Sequence, residues 1–228
     1  MIKALIWDLD GTLVEFKIDY LRARKIAIKI LKNHGVPKQL LTVKSSILEN
    51  MQLSRQFFSN KGFSEEKIKK IIAKVDNKII KIEHEAALNA TLINGIDEVL
   101  SFARLHDLKQ AIFTYNTKKN AEITLKKVNI FHYFDIIVGR DEVSNLKPHP
   151  DHLFYICNKL NVKPNEILVV GDSNRDIEAA INVGAHAIGL NTKFAGLLDQ
   201  ESFHKADIII DLEDIPAKLI NTIEKLMQ

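Results

Sequence analysis

Asp8-Leu9-Asp10-Gly11-Thr12 sets two carboxylates two residues apart at the end of the apolar run Ile2 to Trp7. Where a buried strand of a parallel sheet gives way to a loop, backbone N–H groups and helix starts gather and can hold an anion, so acids placed there read as catalytic. Asp-Gly is equally a hairpin turn, and this segment alone leaves both readings open.

Three later segments bear on the choice. Gly171-Asp172-Ser173-Asn174-Arg175-Asp176 follows the apolar run Ile167 to Val170 and opens a helix, again putting acids at a strand end. Asp8, Asp172 and Asp176 would form a set of hard oxygen ligands that repel one another unless a cation is bound, and Mg²⁺ suits such a set. The plainer alternative is that Asp172 and Asp176 only cap and charge the helix start. In Lys147-Pro148-His149-Pro150 the prolines stiffen a loop, and Pro150 can begin a helix. A lysine fixed there would relieve carboxylate repulsion and bind phosphate oxygens, although most lysines are simply solvated. Thr114 ends the run Gln110 to Phe113, with Asn116 and Lys118 after it. Its hydroxyl and the turn amides can donate to an anion, or Thr114 can cap a helix.

These residues need a frame. After Asp10 the pattern turns helical: Tyr20, Ile26, Ala27, Ile30 and Leu31 share a face of a helix ending near Gly35-Val36-Pro37. Ser64 can cap a second helix, with Glu65 and Glu66 in its first turn and Ile68, Ile71, Ile72, Val75, Ile79 and Ile82 at helical spacing. Asn94-Gly95 marks the exit, and Ile96, Val99, Leu100 and Ala103 begin another helix. Beyond it, β-prone runs at Gln110–Thr114, Ile136–Val138, Ile167–Gly171, His186–Leu190 and Asp207–Ile210 alternate with helical stretches, which predicts a parallel sheet covered on both faces. Lys3 to Trp7 must join that sheet. The expectation is an α/β protein with a discontinuous Rossmann-like core, residues 1–14 and 91–228, and an all-helical insert, 15–90.

Composition fits a soluble globular chain of 228 residues, 46% apolar and 27% charged. The single Cys157, in an apolar helical pattern, excludes an internal disulfide and reads as buried packing. No apolar stretch approaches the roughly 20 residues that span a bilayer, and the N-terminus does not read as a signal peptide, so no membrane partner and a cytoplasmic setting are expected. The net charge of +3 is uneven: residues 15–90 hold about 16 Lys and Arg against about 8 Asp and Glu. Because these charges alternate with apolar residues at helical spacing and no recognition motif accompanies them, they read as solvated helix faces and not as a nucleic-acid surface. His149 and His152 have a His-x-x-His spacing but no third ligand, and Phe57, Phe58 and Phe63 read as filling of the helical insert.

In order along the chain, Asp8-Leu9-Asp10-Gly11-Thr12, Thr114, Lys147 and Gly171-Asp172 to Asp176 resemble the four motifs of the haloacid dehalogenase superfamily. The resemblance covers nearly the whole chain, and the helical insert is similar to that family's C1 cap, which closes over the site. It implies that Asp8 is the nucleophile forming an aspartyl-phosphate and that Asp10 protonates the leaving oxygen and then activates water. One positioned acid serves both displacements by reversing its proton transfer. Asp8, the main-chain carbonyl of Asp10 and Asp172 would hold Mg²⁺, with Asp176 a ligand or an acceptor just outside. Thr114, Lys147 and the N–H groups of Leu9 to Gly11 would bind the phosphoryl group.

Dehalogenases of this fold lack the second carboxylate, so Asp10 favours phosphate-ester chemistry and, as the expected activity, a Mg²⁺-dependent phosphatase acting on a small phosphorylated metabolite. A sugar-phosphate mutase of the beta-phosphoglucomutase type is the rival within the family. A non-catalytic binding or regulatory protein is the rival outside it, and the intact acidic motifs argue against that. Relatives often carry Asp-Ser where this chain has Glu15-Phe16. Phe16 either narrows an entrance or packs against the insert, and Arg55 is a candidate for a second anionic group on the substrate.

Overall fold

The computed structural model describes residues 1–15, 17–192 and 202–227. In chain order the elements are β1 (Ala4–Trp7), α1 (Tyr20–Asn33), α2 (Ile47–Asn60), α3 (Glu65–Leu88), α4 (Ile96–Leu105), β2 (Lys109–Phe113), α5 (Lys118–Lys127), β3 (Ile136–Val138), α6 (Asp151–Leu160), β4 (Ile167–Gly171), α7 (Asn174–Val183), β5 (His186–Asn191), β6 (Ile208–Asp211) and α8 (Ala217–Met227). Each expected strand is present, its ends within one residue of the apolar run that marked it. The chain forms two compact units, Met1–Lys17 with Ala87–Gln228, and Ile18–Ala86.

The first unit carries a six-stranded sheet in the order β3-β2-β1-β4-β5-β6, every neighbouring pair parallel. All four residues of β1 and all five of β4 are buried, as expected of strands covered on both faces, which is why they read as unbroken apolar runs. Side chains alternate across the sheet. Leu5, Trp7, Ile112, Leu168 and Val170 join Val99, Leu100, Leu125, Leu219 and Ile223 of α4, α5 and α8 in one core. Ala4, Ile6, Phe113, Ile167 and Val169 join Leu153, Ile156, Cys157, Ile177 and Ala180 of α6 and α7 in the other. The buried Gln110 is satisfied within the first core: it accepts from Trp7 Nε1 at 3.2 Å and donates to the Leu100 carbonyl at 3.0 Å.

From β1 the chain moves outward through β2 and β3, then returns to place β4 on the other side of β1 and continues to β5 and β6. The strand order therefore reverses between β1 and β4, the position at which open parallel sheets leave a crevice at their carboxyl ends. Trp7 pairs with Val170, so the residues that follow, Asp8 and Gly171-Asp172, leave the sheet side by side.

The second unit is helical, with a core of Ala23, Ala27, Leu31, Phe58, Ile68, Ile71, Ile72, Val75, Ile79 and Ile82. Its helices begin where side chains satisfy free N–H groups. Asp19 accepts from Arg22 N, Ser46 and Glu49 form a reciprocal capping box, and Ser64 accepts from Lys67 N at 3.3 Å. Lys67, Lys69, Lys70, Lys74, Lys78 and Lys81 of α3 are all exposed, so this basic stretch is a solvated face. Among the described residues no helix is long and apolar enough to cross a membrane.

Candidate active site

Asp8 sits immediately beyond β1, buried, its N–H donating to the Val170 carbonyl at 2.9 Å. The chain then turns tightly, with the Leu9 carbonyl accepting from Leu13 N at 3.0 Å and Val14 N at 3.1 Å. Val14 bridges to Leu92, and Glu15 N donates to the Thr91 carbonyl at 2.9 Å, so the outgoing and returning chains are tied together.

Gly11 departs from the expectation of a phosphate-binding amide: its N–H donates to the Val14 carbonyl at 2.8 Å and closes the turn. Its role is steric. It has φ +90°, and a Cβ there would lie 2.1 Å from Asp172 Oδ2, so only glycine lets the loop lie against that carboxylate. Gly171 does the same for Asp176, whose Cγ would lie 2.4 Å from an added Cβ. The Leu9 side chain is fully buried in the core shared by Trp7 and Val170, which leaves its backbone N–H as the group to consider for an anion.

Lys147, only 3% exposed, spends all three of its donors inside the site. It donates to Asp8 Oδ1, to Asp176 Oδ1 at 2.6 Å and to the Phe113 carbonyl at 3.1 Å. Tyr115 holds the lysine backbone, its hydroxyl donating to the Lys147 carbonyl, and the Arg175 guanidinium lies 5.3 Å from the Tyr115 ring. Asp176 is satisfied on its other oxygen by Ser173 N at 3.0 Å and Ser173 Oγ at 2.5 Å, and Asp172 Oδ2 accepts from Thr192 Oγ1 at 3.2 Å.

Asp8, Asp172 and Asp176 each offer an oxygen within 4.8 Å of the others. Burial raises the Asp8 carboxyl to about 6; Lys147 opposes the rise and Asp176 adds to it. Asp172 is lifted well above the usual carboxylate range by burial and then by its two acidic neighbours. For Lys147 burial acts to lower the pKa, but Asp176 and Asp8 outweigh it and the ammonium is held charged. Three carboxylates against one ammonium leave two negative charges uncompensated when all are ionised. That balance and the all-oxygen donor set fit a divalent cation.

Thr114 follows β2, buried, its N–H donating to the Val138 carbonyl at 3.2 Å. It is not a helix cap: Thr117 caps α5 by accepting from Asn120 N, while Thr114 Oγ1 accepts from Asn116 N at 3.1 Å and keeps its own proton to give. Asn116 reaches back across the site, its Nδ2 donating to Asp10 Oδ2 at 2.5 Å.

Sequence reasoning passed over Asn116, Tyr115, Ser173 and Thr192 as site residues. Asn116 was visible only as a polar residue two positions beyond Thr114, a spacing that equally suits a turn. Of the other expected residues, Arg55 is exposed on α2, in the helical unit, and Phe16 lies outside the described residues. Of the two histidines, His149 is exposed, and His152 is fully buried with Nε2 against the Val138 carbonyl at 3.2 Å.

The family model for haloacid dehalogenase-like hydrolases matches residues 5–190. A phosphoglycolate phosphatase of Mannheimia succiniciproducens is 26% identical over 219 residues, covering 93% of this chain and 96% of that one. A validoxylamine A 7'-phosphate phosphatase of Streptomyces hygroscopicus is 25% identical over 224 residues, covering 94% and 96%. Among solved structures, the beta-phosphoglucomutase of Clostridium difficile superposes with a TM-score of 0.71 at 23% identity over 100% of both chains. CbbY of Rhodobacter sphaeroides in complex with phosphate does so with 0.63 at 21%, over 92% of this chain and 94% of that one.

Proposed function

The chain belongs to the haloacid dehalogenase-like hydrolase family, and on that premise we propose that it is a Mg²⁺-dependent phosphatase acting on a small phosphorylated metabolite, of the phosphoglycolate or sugar-phosphate kind. The observation that carries this reading is Lys147 donating to both Asp8 and Asp176, each of which offers an oxygen within 4.8 Å of one from Asp172, at the crevice between β1 and β4. Relatives that span nearly the full chain and are named as phosphatases support it.

In this reading Asp8 attacks phosphorus and the bond from phosphorus to the ester oxygen breaks. The departing oxygen takes its proton from Asp10. In the second displacement water attacks the aspartyl-phosphate and gives a proton to Asp10. The bond from phosphorus to the Asp8 oxygen breaks, its electron pair returns to the carboxylate, and orthophosphate leaves. Thr114 Oγ1, the Leu9 amide and Lys147 Nζ, which would exchange one of its present acceptors for a phosphoryl oxygen, bind the phosphoryl group as fixed donors.

Asp8, the Asp10 carbonyl and Asp172 would hold Mg²⁺, and Asp176, already committed to Lys147 and Ser173, would lie just outside the ligand set. When bound, the ion supplies positive charge against the phosphoryl oxygens and relieves the repulsion among the carboxylates. The fold is shared with beta-phosphoglucomutases, and likeness at 23% identity speaks for the fold alone.

The test is orthophosphate release across a panel of phosphorylated metabolites by the parent and by Asp8→Asn, with and without EDTA. The parent is expected to hydrolyse some of them only with the ion present, and Asp8→Asn none. Isomerisation of a hexose 1-phosphate without orthophosphate release would assign the chain to the mutases instead.

A further inference from the structure

We propose that Asn116 positions Asp10 and, with the other end of the same carboxamide, anchors the water that cleaves the aspartyl-phosphate. This inference rests on the phosphatase reading above and adds to it the group that distinguishes hydrolysis from return of the phosphoryl group to an alcohol.

Asp10 is half-buried on a loop, so its carboxylate needs a partner to hold one orientation. Asn116 is itself rigidly held. It is 4% exposed, its N–H donates to Thr114 Oγ1 at 3.1 Å, and its carbonyl accepts from Arg140 N at 2.9 Å. From that frame Nδ2 donates to Asp10 Oδ2 at 2.5 Å. Once Asp10 has given its proton to the leaving oxygen, its carboxylate only accepts, which fixes the amide with its NH₂ toward Asp10 and its oxygen away when the water enters.

That oxygen, Asn116 Oδ1, is buried and has no hydrogen-bond partner among the described residues. An acceptor left so keeps an uncompensated desolvation cost, which a ligand O–H at this point would remove. The two candidate donors differ. An alcohol leaving the first displacement has a single O–H, which it has just received from Asp10. Water entering the second has two: one proton passes to Asp10, and the other O–H needs an acceptor beside it. Asn116 Oδ1 supplies that acceptor. The oxygen of the water then forms its bond to phosphorus as the bond to Asp8 breaks, and the remaining proton leaves on orthophosphate. Asn116 exchanges no proton and is a positioning residue.

The experiment is rapid-mixing kinetics on p-nitrophenyl phosphate with the Mg²⁺-loaded parent, Asn116→Ala and Asn116→Leu, the last keeping the side-chain volume should the alanine variant not fold. p-Nitrophenolate departs without needing a proton, so the first displacement reports little on Asp10. The expected result is a full burst of nitrophenolate at a rate within about threefold of the parent, then steady turnover slowed at least about tenfold with KM falling alongside kcat, as loss of a positioned base predicts. A burst and steady rate that fall together, or a steady rate that does not change, would overturn the proposal. A parent that releases no nitrophenolate would overturn the phosphatase reading itself. Independently of activity, a crystal structure of the parent should show a water bonded to both Asn116 Oδ1 and Asp10, and an Oδ1 facing only apolar atoms would also sink the idea.

Discussion

The Asp172 carboxylate rests directly on the bare Cα of Gly11, so closely that a methyl group at Gly11 would lie 2.1 Å from Oδ2. The glycine of the first motif is thus the seat of an acid from the third strand-end segment, 161 positions further along the chain.

Gly11→Ala should therefore damage the site and the fold together. The substitution meets both a clash and a backbone φ of +90°, each unfavourable for a side chain, and the loss of stability should be of order 1–3 kcal/mol. Urea denaturation measures it. An unchanged midpoint would mean that the loop and Asp172 can part without cost.

Lys147→Met keeps the length of the side chain and removes the ammonium. Asp8 and Asp176 then remain buried without their cation, and breaking such a cluster costs about 3–5 kcal/mol. The deficit should be largest near pH 8. The Asp8 carboxyl, raised by burial and no longer opposed by Lys147, binds more protons when folded than when unfolded, so the variant should recover stability as the pH falls toward 5. Midpoints that stay parallel to the parent across that range would contradict the pairing.

Divalent-ion binding should stabilise the protein and release protons. With the metal at about 100 times its Kd, unfolding should cost about 2.7 kcal/mol more, and Asp172→Asn should abolish most of that gain. The Asp8 carboxyl, raised by burial to about 6, is protonated below that pH and must lose its proton to act as a ligand. Affinity should accordingly drop as pH falls through 6. Titration calorimetry in buffers of different ionisation enthalpy reads both the affinity and the protons.

His152 gives a pH dependence of stability separate from the acids. Burial, with Lys147 adding to it, lowers this imidazole from 6.5 to about 4. Between those values the unfolded chain binds a proton that the folded chain refuses, so stability is complete above 6.5 and is lost as pH falls toward 4. The shift corresponds to about 3 kcal/mol. His152→Gln should lack this loss, and the stability of the parent relative to the variant should decline over that window. A difference that does not change with pH would place the imidazole in contact with water.

The chain's own pattern was enough to locate the strands and helices, because apolar period and capping residues act over a few positions. The unbroken runs of β1 and β4, the Ser64 cap of α3 and the Pro150 entry to α6 all lie where local chemistry puts them. The four ordered motifs likewise pointed to the family. What could not be read locally is which groups touch. Lys147 reaches Asp8 across 139 residues only because the strand order reverses beside β1 and brings the β1, β2 and β4 ends to one crevice. The same closure aims Asn116 at Asp10, 106 positions away in sequence. Spacing along a sequence fixes what each residue is able to do, whereas the sheet topology, a property of the whole chain, fixes the partner with which it does it.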